Sequence, residues 1–192
     1  MQKQTYKIDQ GENFGKWSDN TSKFLYKYSI LEILNKIEIP EKTADFGGGN
    51  GLLKEIIPNI ITIDIDKTKK PDIIDNILTH RGKYDLIIIR YVLHYLNDYE
   101  LIQLFDNIKS FHKGKLLIIQ FCNNDLINKY FNSKNEIKYF RTENQTENLI
   151  PKGFKKIFSM NYICSKEFYK NRLQNENIIE HNEILNAYYY EN

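Results

Sequence analysis

Short apolar runs alternate with amphipathic segments through the first 121 residues of the chain. The near-continuous apolar run at residues 84–90 is typical of a strand buried on both faces of a parallel sheet. Apolar positions at helical spacing, bounded by capping residues, proline or glycine, indicate helices between the strands. The predicted strands are 43–46, 60–65, 73–74, 84–90 and 115–121, and the predicted helices are 21–37, 52–57 and 98–111. This alternation predicts an α/β fold with a doubly wound, mostly parallel sheet that carries helices on both faces.

The pattern changes after residue 121. Residues 123–150 are polar and rich in Asn, and they predict a helix and a loop. Two short runs, 154–159 and 161–165, predict strands with a tight connection, which would give the sheet an antiparallel C-terminal edge. The tail beyond them has apolar residues that predict a final helix. These apolar residues are Ile178, Leu185 and Tyr188.

Length and charge narrow the class of protein. The 192 residues suit one domain, and the polar residues 1–19, with scattered aromatics, predict a loosely structured arm. The chain has 27 Lys and Arg against 25 Asp and Glu, a formal charge of +2. That balance argues against a mainly charge-driven nucleic-acid binder, although a small local basic patch remains compatible with it.

Cysteine count and apolar runs bear on the compartment. Cys122 and Cys164 are too few for a disulfide framework or a four-cysteine zinc site, so we expect buried thiols and no metal, with one bridge between them left open. The N-terminus lacks the apolar stretch of a secretory signal, and no apolar run has membrane-spanning length. We therefore expect a cytoplasmic protein.

The segment that carries chemistry is the loop Asp45-Phe46-Gly47-Gly48-Gly49-Asn50-Gly51, between a predicted strand and a predicted helix. Glycines suit a sharp turn at which a ligand approaches the backbone closely, and nearby helix N–H groups can meet a carboxylate or phosphate. The spacing D-x-G-x-G-x-G differs from the dinucleotide fingerprint G-x-G-x-x-G, because Leu52 stands at the third glycine position. The G-K-S/T ending of a phosphate-binding loop is also absent.

This loop resembles motif I of the class I S-adenosylmethionine (SAM) dependent methyltransferases, which have a Rossmann-like fold. The resemblance covers residues 40–122, and within this range it includes the stretch 83–96 and the turn His112-Lys113-Gly114. It implies SAM as the cofactor and S-adenosylhomocysteine (SAH) as the product. It also implies one methyltransferase-like domain over residues 1–192. Within it, residues 1–19 would be an arm that can act as a lid, 20–122 the SAM-binding core, and 123–192 the substrate-side insertion, last strands and C-terminal tail.

The resemblance assigns the glycine loop to the amino-acid part of SAM. Gly47, Gly49 and Gly51 would wrap that part of the cofactor. Asp45 would orient the loop through hydrogen bonds to its backbone rather than contact SAM directly.

The nucleoside part of SAM is assigned to the ends of the next two strands. Asp64 is favoured over Asp66 as the acid that accepts hydrogen bonds from both ribose hydroxyls, and Ile65 would flank the adenine. In the family an acid after the third strand contacts the adenine amino group. By spacing Asn76 takes that position here and Asp75 lies one place early.

Three residues after the fourth strand are candidates for catalysis. Arg90, Tyr91 and His94 would lie at the floor of the active site, where His94 could act as a base and Arg90 could bind an acidic substrate. Each residue also has a purely structural alternative. His94 could be packed between helix and loop, Arg90 could point outward and pair with an acid, and Tyr91 could be a packing residue. The region Tyr139-Phe140-Arg141 is a further candidate for substrate contact, as are three aromatics of the arm. These aromatics are Tyr6, Phe14 and Trp17.

The resemblance implies methyl transfer from SAM to an oxygen or nitrogen of a small-molecule acceptor. The [D/N/S]-P-P-[Y/F/W] motif of amino-methylating DNA enzymes is replaced here by Arg90-Tyr91-Val92-Leu93. Two alternatives remain: an RNA or protein methyltransferase, and a catalytically weak methyltransferase-like scaffold subunit. The intact glycine loop and Asp64 argue against the scaffold. We expect no membrane partner, and the oligomeric state is open.

Overall fold

The computed structural model describes residues 5–8, 29–123, 139, 141–164 and 181–191. In this part of the chain, strands form one eight-stranded sheet in the order β1-β7-β8-β6-β5-β2-β3-β4. The strands are β1 (Thr5–Ile8), β2 (Thr43–Phe46), β3 (Ile61–Asp64), β4 (Ile73–Ile74), β5 (Leu86–Arg90), β6 (Lys115–Asn123), β7 (Lys155–Cys164) and β8 (His181–Tyr190). The helices are α1 (Leu31–Leu34), α2 (Asp98–Phe111) and α3 (Glu143–Leu149). Short 3₁₀ turns occur at Leu52–Glu55, Lys67–Lys69 and Leu93–Tyr95.

The sheet is parallel from β4 to β6 and becomes antiparallel at β8. Strand β2 pairs in parallel with both β3 and β5, and β8 lies antiparallel between β6 and β7. The chain order reverses at β2 and β5, which makes a switch point whose strand ends open a crevice. This arrangement confirms the predicted α/β, doubly wound, mostly parallel fold with an antiparallel C-terminal edge.

Two apolar cores cover the two faces of the sheet, which is why β5 reads as a continuous apolar run. Leu86 and Ile88 point into the core that contains Ile30 and Ile33 of the α1 segment. Their neighbours Ile87 and Ile89 point into the other core, which contains the buried side of α2. Helix α2 begins in a capping box, in which the Asn97 side chain accepts from Glu100 N–H and the Glu100 side chain accepts from Asn97 N–H.

Several predicted elements need correction. The predicted helix at 52–57 is only the 3₁₀ turn Leu52–Glu55, because Pro58 leaves no room for further turns. The predicted helix at 21–37 appears as α1, which ends at Leu34, and residues 21–28 lie outside the described residues. The predicted loose arm includes β1, which pairs in parallel with β7.

The C-terminal part was predicted wrongly in two places. The two short strands at 154–159 and 161–165 are one strand, β7, which takes up an irregular pairing between Lys156 and Phe158 instead of turning. Within the predicted final helix, residues 181–190 form strand β8, and Ile178 lies outside the described residues. There Leu185, Ala187 and Tyr189 face one core, whereas Tyr188 faces the other, so the period is two.

Cys122 is a free, buried thiol, so the bridge that the composition left open is not formed. Among the described residues, no helix has both the length and the apolar character needed to cross a membrane.

Candidate active site

The glycine loop leaves β2 at the switch point and is held against its neighbours. Gly47 N–H donates to Ile63 O of β3 at 2.7 Å. Gly47 has φ +73°, and a Cβ on it would lie 2.5 Å from Val92 Cγ2. Only glycine therefore allows the turn after β5 to pack this closely on the loop.

Asp64, at the end of β3, lies beside this loop. Its Oδ2 accepts from Gly49 N–H at 2.9 Å, and its Oδ1 accepts from Asp66 N–H at 2.8 Å. An ionised carboxylate has about four acceptor positions, so each oxygen keeps one further position. Asp66 differs, because its Oδ1 caps the next turn through Thr68 N and Oγ1. Of the two acids, Asp64 is the one turned to the glycine loop.

Two isoleucines beside Asp64 are exposed. Ile65 is 70% exposed and Ile74 is 62% exposed. Ile74 is the register partner of Asp64. Exposed apolar side chains that flank an acid with spare acceptor positions suit a flat ligand that has an apolar face and hydroxyl donors.

Asp45 is fully buried below the loop, and a Cβ on Gly48 would lie 2.9 Å from its Oδ2. Within the described part of the chain, neither carboxylate oxygen has a hydrogen-bond partner. Burial raises the pKa of Asp45 to about 6, while the nearby Arg90 charge opposes this rise and the Asp64 charge adds to it. The predicted loop-orienting hydrogen bonds are thus not made, and Asp45 instead offers acceptors that lack a donor.

Arg90 ends β5 near this acid, and Tyr91 is the first residue after the strand. The Arg90 guanidinium carbon lies 5.1 Å from the centre of the Tyr91 ring. Tyr91 has φ +57°, a left-handed conformation that is strained for a bulky residue and is concentrated at functional sites. Its ring stacks on Phe121 at 4.2 Å. Burial raises the pKa of Tyr91, whose hydroxyl has no hydrogen-bond partner within the described residues.

His94 is buried in the 3₁₀ turn after β5. Gln120 Oε1 accepts from Leu93 N–H at 3.2 Å, so the Gln120 amide nitrogen faces His94 Nδ1, also at 3.2 Å. Nδ1 is then the acceptor, and the proton of the neutral ring is on Nε2. This geometry favours the packed role over a base, because neither ring nitrogen then offers an unengaged lone pair. The single Gln in the apolar run of β6 is the sequence feature that could have indicated this contact, which was not predicted.

Asp75 and Asn76, the residues predicted at the adenine, open the turn after β4. Asp75 N–H donates to Asp64 O at 3.1 Å, which ties this turn to the acid of β3. Asn76 Oδ1 accepts from Leu78 N–H within the turn. Asp75 keeps a side chain that is 45% exposed and pairs with His80 at 2.8 Å. Its pKa is lowered, chiefly by the hydrogen bond from His80.

Arg141 fastens the segment 139–141 to the turn after β5, and we call its set of bonds the Arg141 clasp. Its guanidinium donates to Leu93 O and Leu96 O, both at 2.8 Å, and pairs with Asp98 at 2.6 Å. Tyr139 N–H donates to His94 O at 2.9 Å. The predicted region 139–141 is thus fastened to the turn after β5. Phe140 and the side chains of the arm aromatics lie outside the described residues.

Asp72, which the sequence did not single out, makes a second set of bonds between loops of the site. Its Oδ2 accepts from Thr62 N–H and Thr62 Oγ1–H, each at 2.8 Å, and its Oδ1 pairs with Lys54 at 2.5 Å. These bonds hold the turn after the glycine loop against the start of β4. The sequence gives no periodic signal for an acid in such a loop.

A family model described as a methyltransferase domain matches residues 13–159. Magnesium protoporphyrin IX methyltransferase from Synechocystis PCC 6803 with bound SAM is similar in structure, with 16% identity, a TM-score of 0.57, and coverage of 94% of this chain and 86% of that chain. The YcgJ protein from Bacillus subtilis has 10% identity and a TM-score of 0.59, with coverage of 86% and 99%.

Phosphoethanolamine N-methyltransferase 1 from Haemonchus contortus, in complex with phosphoethanolamine and SAH, has 14% identity and a TM-score of 0.56. That match covers 90% of this chain but 44% of the other. No curated protein sequence matches the chain significantly. At these identities the structural similarities show only the fold. The match to the family model shows the family to which the chain belongs.

Proposed function

We propose that this chain, which belongs to the methyltransferase domain family and is a SAM-dependent methyltransferase, transfers the methyl group to an oxygen or nitrogen atom of a small-molecule acceptor. The observation that carries the proposal is the position of Asp64, which keeps acceptor positions beside the glycine loop and between two exposed isoleucines. Membership of the family supplies SAM as the methyl donor.

The residues of the site fit the parts of SAM. The ammonium of its amino-acid part is a donor that the buried Asp45 oxygens lack. The ribose hydroxyls are donors for the remaining positions of Asp64, and the adenine faces suit Ile65 and Ile74. Gly47, Gly49 and Gly51 all have positive φ, a conformation that bends the loop and that glycine adopts without strain. A Cβ on Gly49 would meet no protein atom within 4 Å, so there is open space beside this glycine for a ligand.

In this reaction, SAM supplies a methyl group that is already electrophilic because it is bound to a sulfonium. The chain has to hold the acceptor atom in line with that methyl group, at about 3–3.5 Å. Tyr91, Arg90 and the turn that follows them lie at the end of β5, where the acceptor would approach. The buried Tyr91 hydroxyl offers one hydrogen-bonding group to it. His94 supports the turn through Gln120 rather than removing a proton.

A small acceptor is favoured over a macromolecule by two further observations. The formal charge of +2 gives the chain as a whole only a weak attraction for RNA. The similar structures include enzymes named for magnesium protoporphyrin IX and phosphoethanolamine, which are small molecules. Methylation of RNA in the acceptor screen would contradict the small-molecule assignment.

The first test is calorimetric titration with SAM and SAH of the native chain, Asp64→Ala and Asp66→Ala. Asp66→Ala is the matched control, since Asp66 caps an exposed turn. We expect Asp64→Ala to weaken SAH binding tenfold or more, about 1.4 kcal/mol, and Asp66→Ala to leave it within about threefold. A screen of small-molecule acceptors with labelled SAM, followed by RNA, then tests the acceptor class. Absence of binding to either ligand would refute the cofactor site and favour the scaffold reading.

A further inference from the structure

Three rings form a cluster next to the start of the glycine loop: His80 stacks on Tyr84, and Phe46 meets both rings edge to face. The His80 ring lies 5.5 Å from Phe46 and 6.0 Å from Tyr84, measured between ring centres. Phe46 is fully buried and directly precedes Gly47. His80 is only 7% exposed, and its backbone is fixed by Asn76 O and by Asn107 Nδ2. The imidazole therefore has a defined place between the loop strand and the turn after β4.

A chain of side-chain hydrogen bonds runs through this ring. His80 Nδ1 lies 2.8 Å from Asp75 Oδ2, and Nε2 lies 2.9 Å from the Tyr84 hydroxyl. An ionised carboxylate only accepts, so Nδ1 carries the proton and donates to Asp75. Nε2 of the neutral ring is then the acceptor, and the Tyr84 hydroxyl donates to it. Tyr84 in this way fixes the tautomer that His80 needs to hold Asp75.

Gly82 permits this arrangement. A Cβ on Gly82 would lie 2.4 Å from Tyr84 Cε2 and 2.5 Å from the Tyr84 hydroxyl. Any side chain there would push the Tyr84 ring away from His80. The glycine between the two rings is thus explained by close packing rather than by a turn of unusual φ.

This chain of hydrogen bonds ends at Asp75, on the side of the molecule where we propose the SAM site. Asp75 is the first residue after β4, and its N–H donates to Asp64 O, so the two acids are neighbours. Oδ1 of Asp75 accepts from Asn76 N–H and Oδ2 from His80, which leaves one acceptor position on each oxygen. The side chain is 45% exposed beside the exposed Ile74. A donor on a flat ligand that lies against Ile74 can reach such a carboxylate.

We propose that His80 is a positioning residue for adenine recognition: its Nδ1–H holds the Asp75 carboxylate in the orientation that accepts the 6-amino group of adenine. This inference rests on the proposed SAM site. Without His80, the Asp75 side chain keeps its charge but rotates freely, so the amino group loses a defined acceptor. Tyr84 acts one step further away, through the His80 tautomer.

The test measures the affinity of SAH and of its analogue with hydrogen in place of the 6-amino group. The variants are His80→Gln and Tyr84→Phe, and His112→Gln is the matched control. His112 is also 7% exposed, but it bonds to Lys115 O on another part of the molecule. A hydrogen bond to a charged group contributes about 1.5–3 kcal/mol, so the native chain is expected to prefer SAH by about tenfold or more.

In His80→Gln this preference is expected to shrink to about threefold or less, while His112→Gln keeps it even if its stability falls. Tyr84→Phe is expected to give an intermediate preference, and it decides the matter if His80→Gln does not fold. An unchanged preference in the folded His80→Gln, or in Tyr84→Phe when it stands alone, overturns the inference. Failure of the native chain to bind SAH at all would refute the proposed cofactor site instead, so the two failures are distinguishable.

Discussion

Replacement of Asp45 by Asn should stabilise the protein at neutral pH and weaken its cofactor binding. Asp45 is fully buried and, within the described residues, its oxygens accept no hydrogen bond. Burial raises its pKa from 3.8 to about 6, in spite of the nearby Arg90 charge. The folded protein therefore holds this proton over a pH range in which the unfolded chain has lost it. Asparagine has nearly the same shape and never ionises.

The sign and size follow from proton linkage. Between about pH 4 and pH 6 the folded state binds more protons than the unfolded state, so the free energy of unfolding falls as the pH rises through this window. A shift of about two pKa units corresponds to about 3 kcal/mol, which is fully lost above the folded-state pKa. Asp45→Asn lacks this loss. Its unfolding free energy relative to the native chain should thus rise by about 2–3 kcal/mol between about pH 4 and pH 7.5.

Urea unfolding followed by circular dichroism at both pH values measures this double difference, in which constant packing effects of the amide cancel. The control is Asp66→Asn. Hydrogen bonds from Thr68 lower the pKa of Asp66, so this acid is ionised in both the folded and the unfolded protein over most of the range from pH 4 to pH 7.5. Asp66→Asn should therefore keep a nearly constant stability offset from the native chain. In parallel, SAH binding to the native chain should weaken from about pH 8 to pH 5, whereas Asp45→Asn should bind weakly at both. A constant stability offset between Asp45→Asn and the native chain across this range would refute the reasoning.

Three further substitutions test the loop, the floor and the clasp. Gly47→Ala should lower the free energy of unfolding in urea by about 2–4 kcal/mol, because of its positive φ and the contact with Val92. Gly49→Ala should lower it by only about 1–2 kcal/mol, because its Cβ would meet nothing within 4 Å. Equal losses would contradict this. Tyr91→Phe keeps the stacking on Phe121 and removes a buried hydroxyl without a described partner, so a gain of about 1–3 kcal/mol is expected in thermal unfolding, and a loss would show that the hydroxyl is satisfied. Arg141→Lys cannot reproduce the fork to the backbone oxygens of the turn after β5 and should speed amide hydrogen exchange at residues 93–96, with unchanged exchange counting against the clasp.

The amino-acid sequence by itself determined the parallel core. The apolar run of β5 and the glycine loop after β2 are local patterns, and each has only a few structural solutions. They predicted the doubly wound sheet, and through the resemblance they predicted the family and its cofactor. Through the resemblance, Asp64 was preferred over Asp66 as the ribose-binding acid, and the structure turns Asp64 to the glycine loop and Asp66 to its own cap.

Tertiary structure alone decided the C-terminal edge and the detailed environment of the site. Strand β8 reads as a weak helix because its apolar residues fit both periods, and only pairing with β6 and β7 on its two sides selects the strand. The orphaned Asp45, the links from His80 to Asp75 and from Gln120 to His94, and the Arg141 clasp join residues that are distant in sequence or depend on burial. Burial and side-chain partners are properties of the packed chain, so no spacing rule in the sequence can supply them.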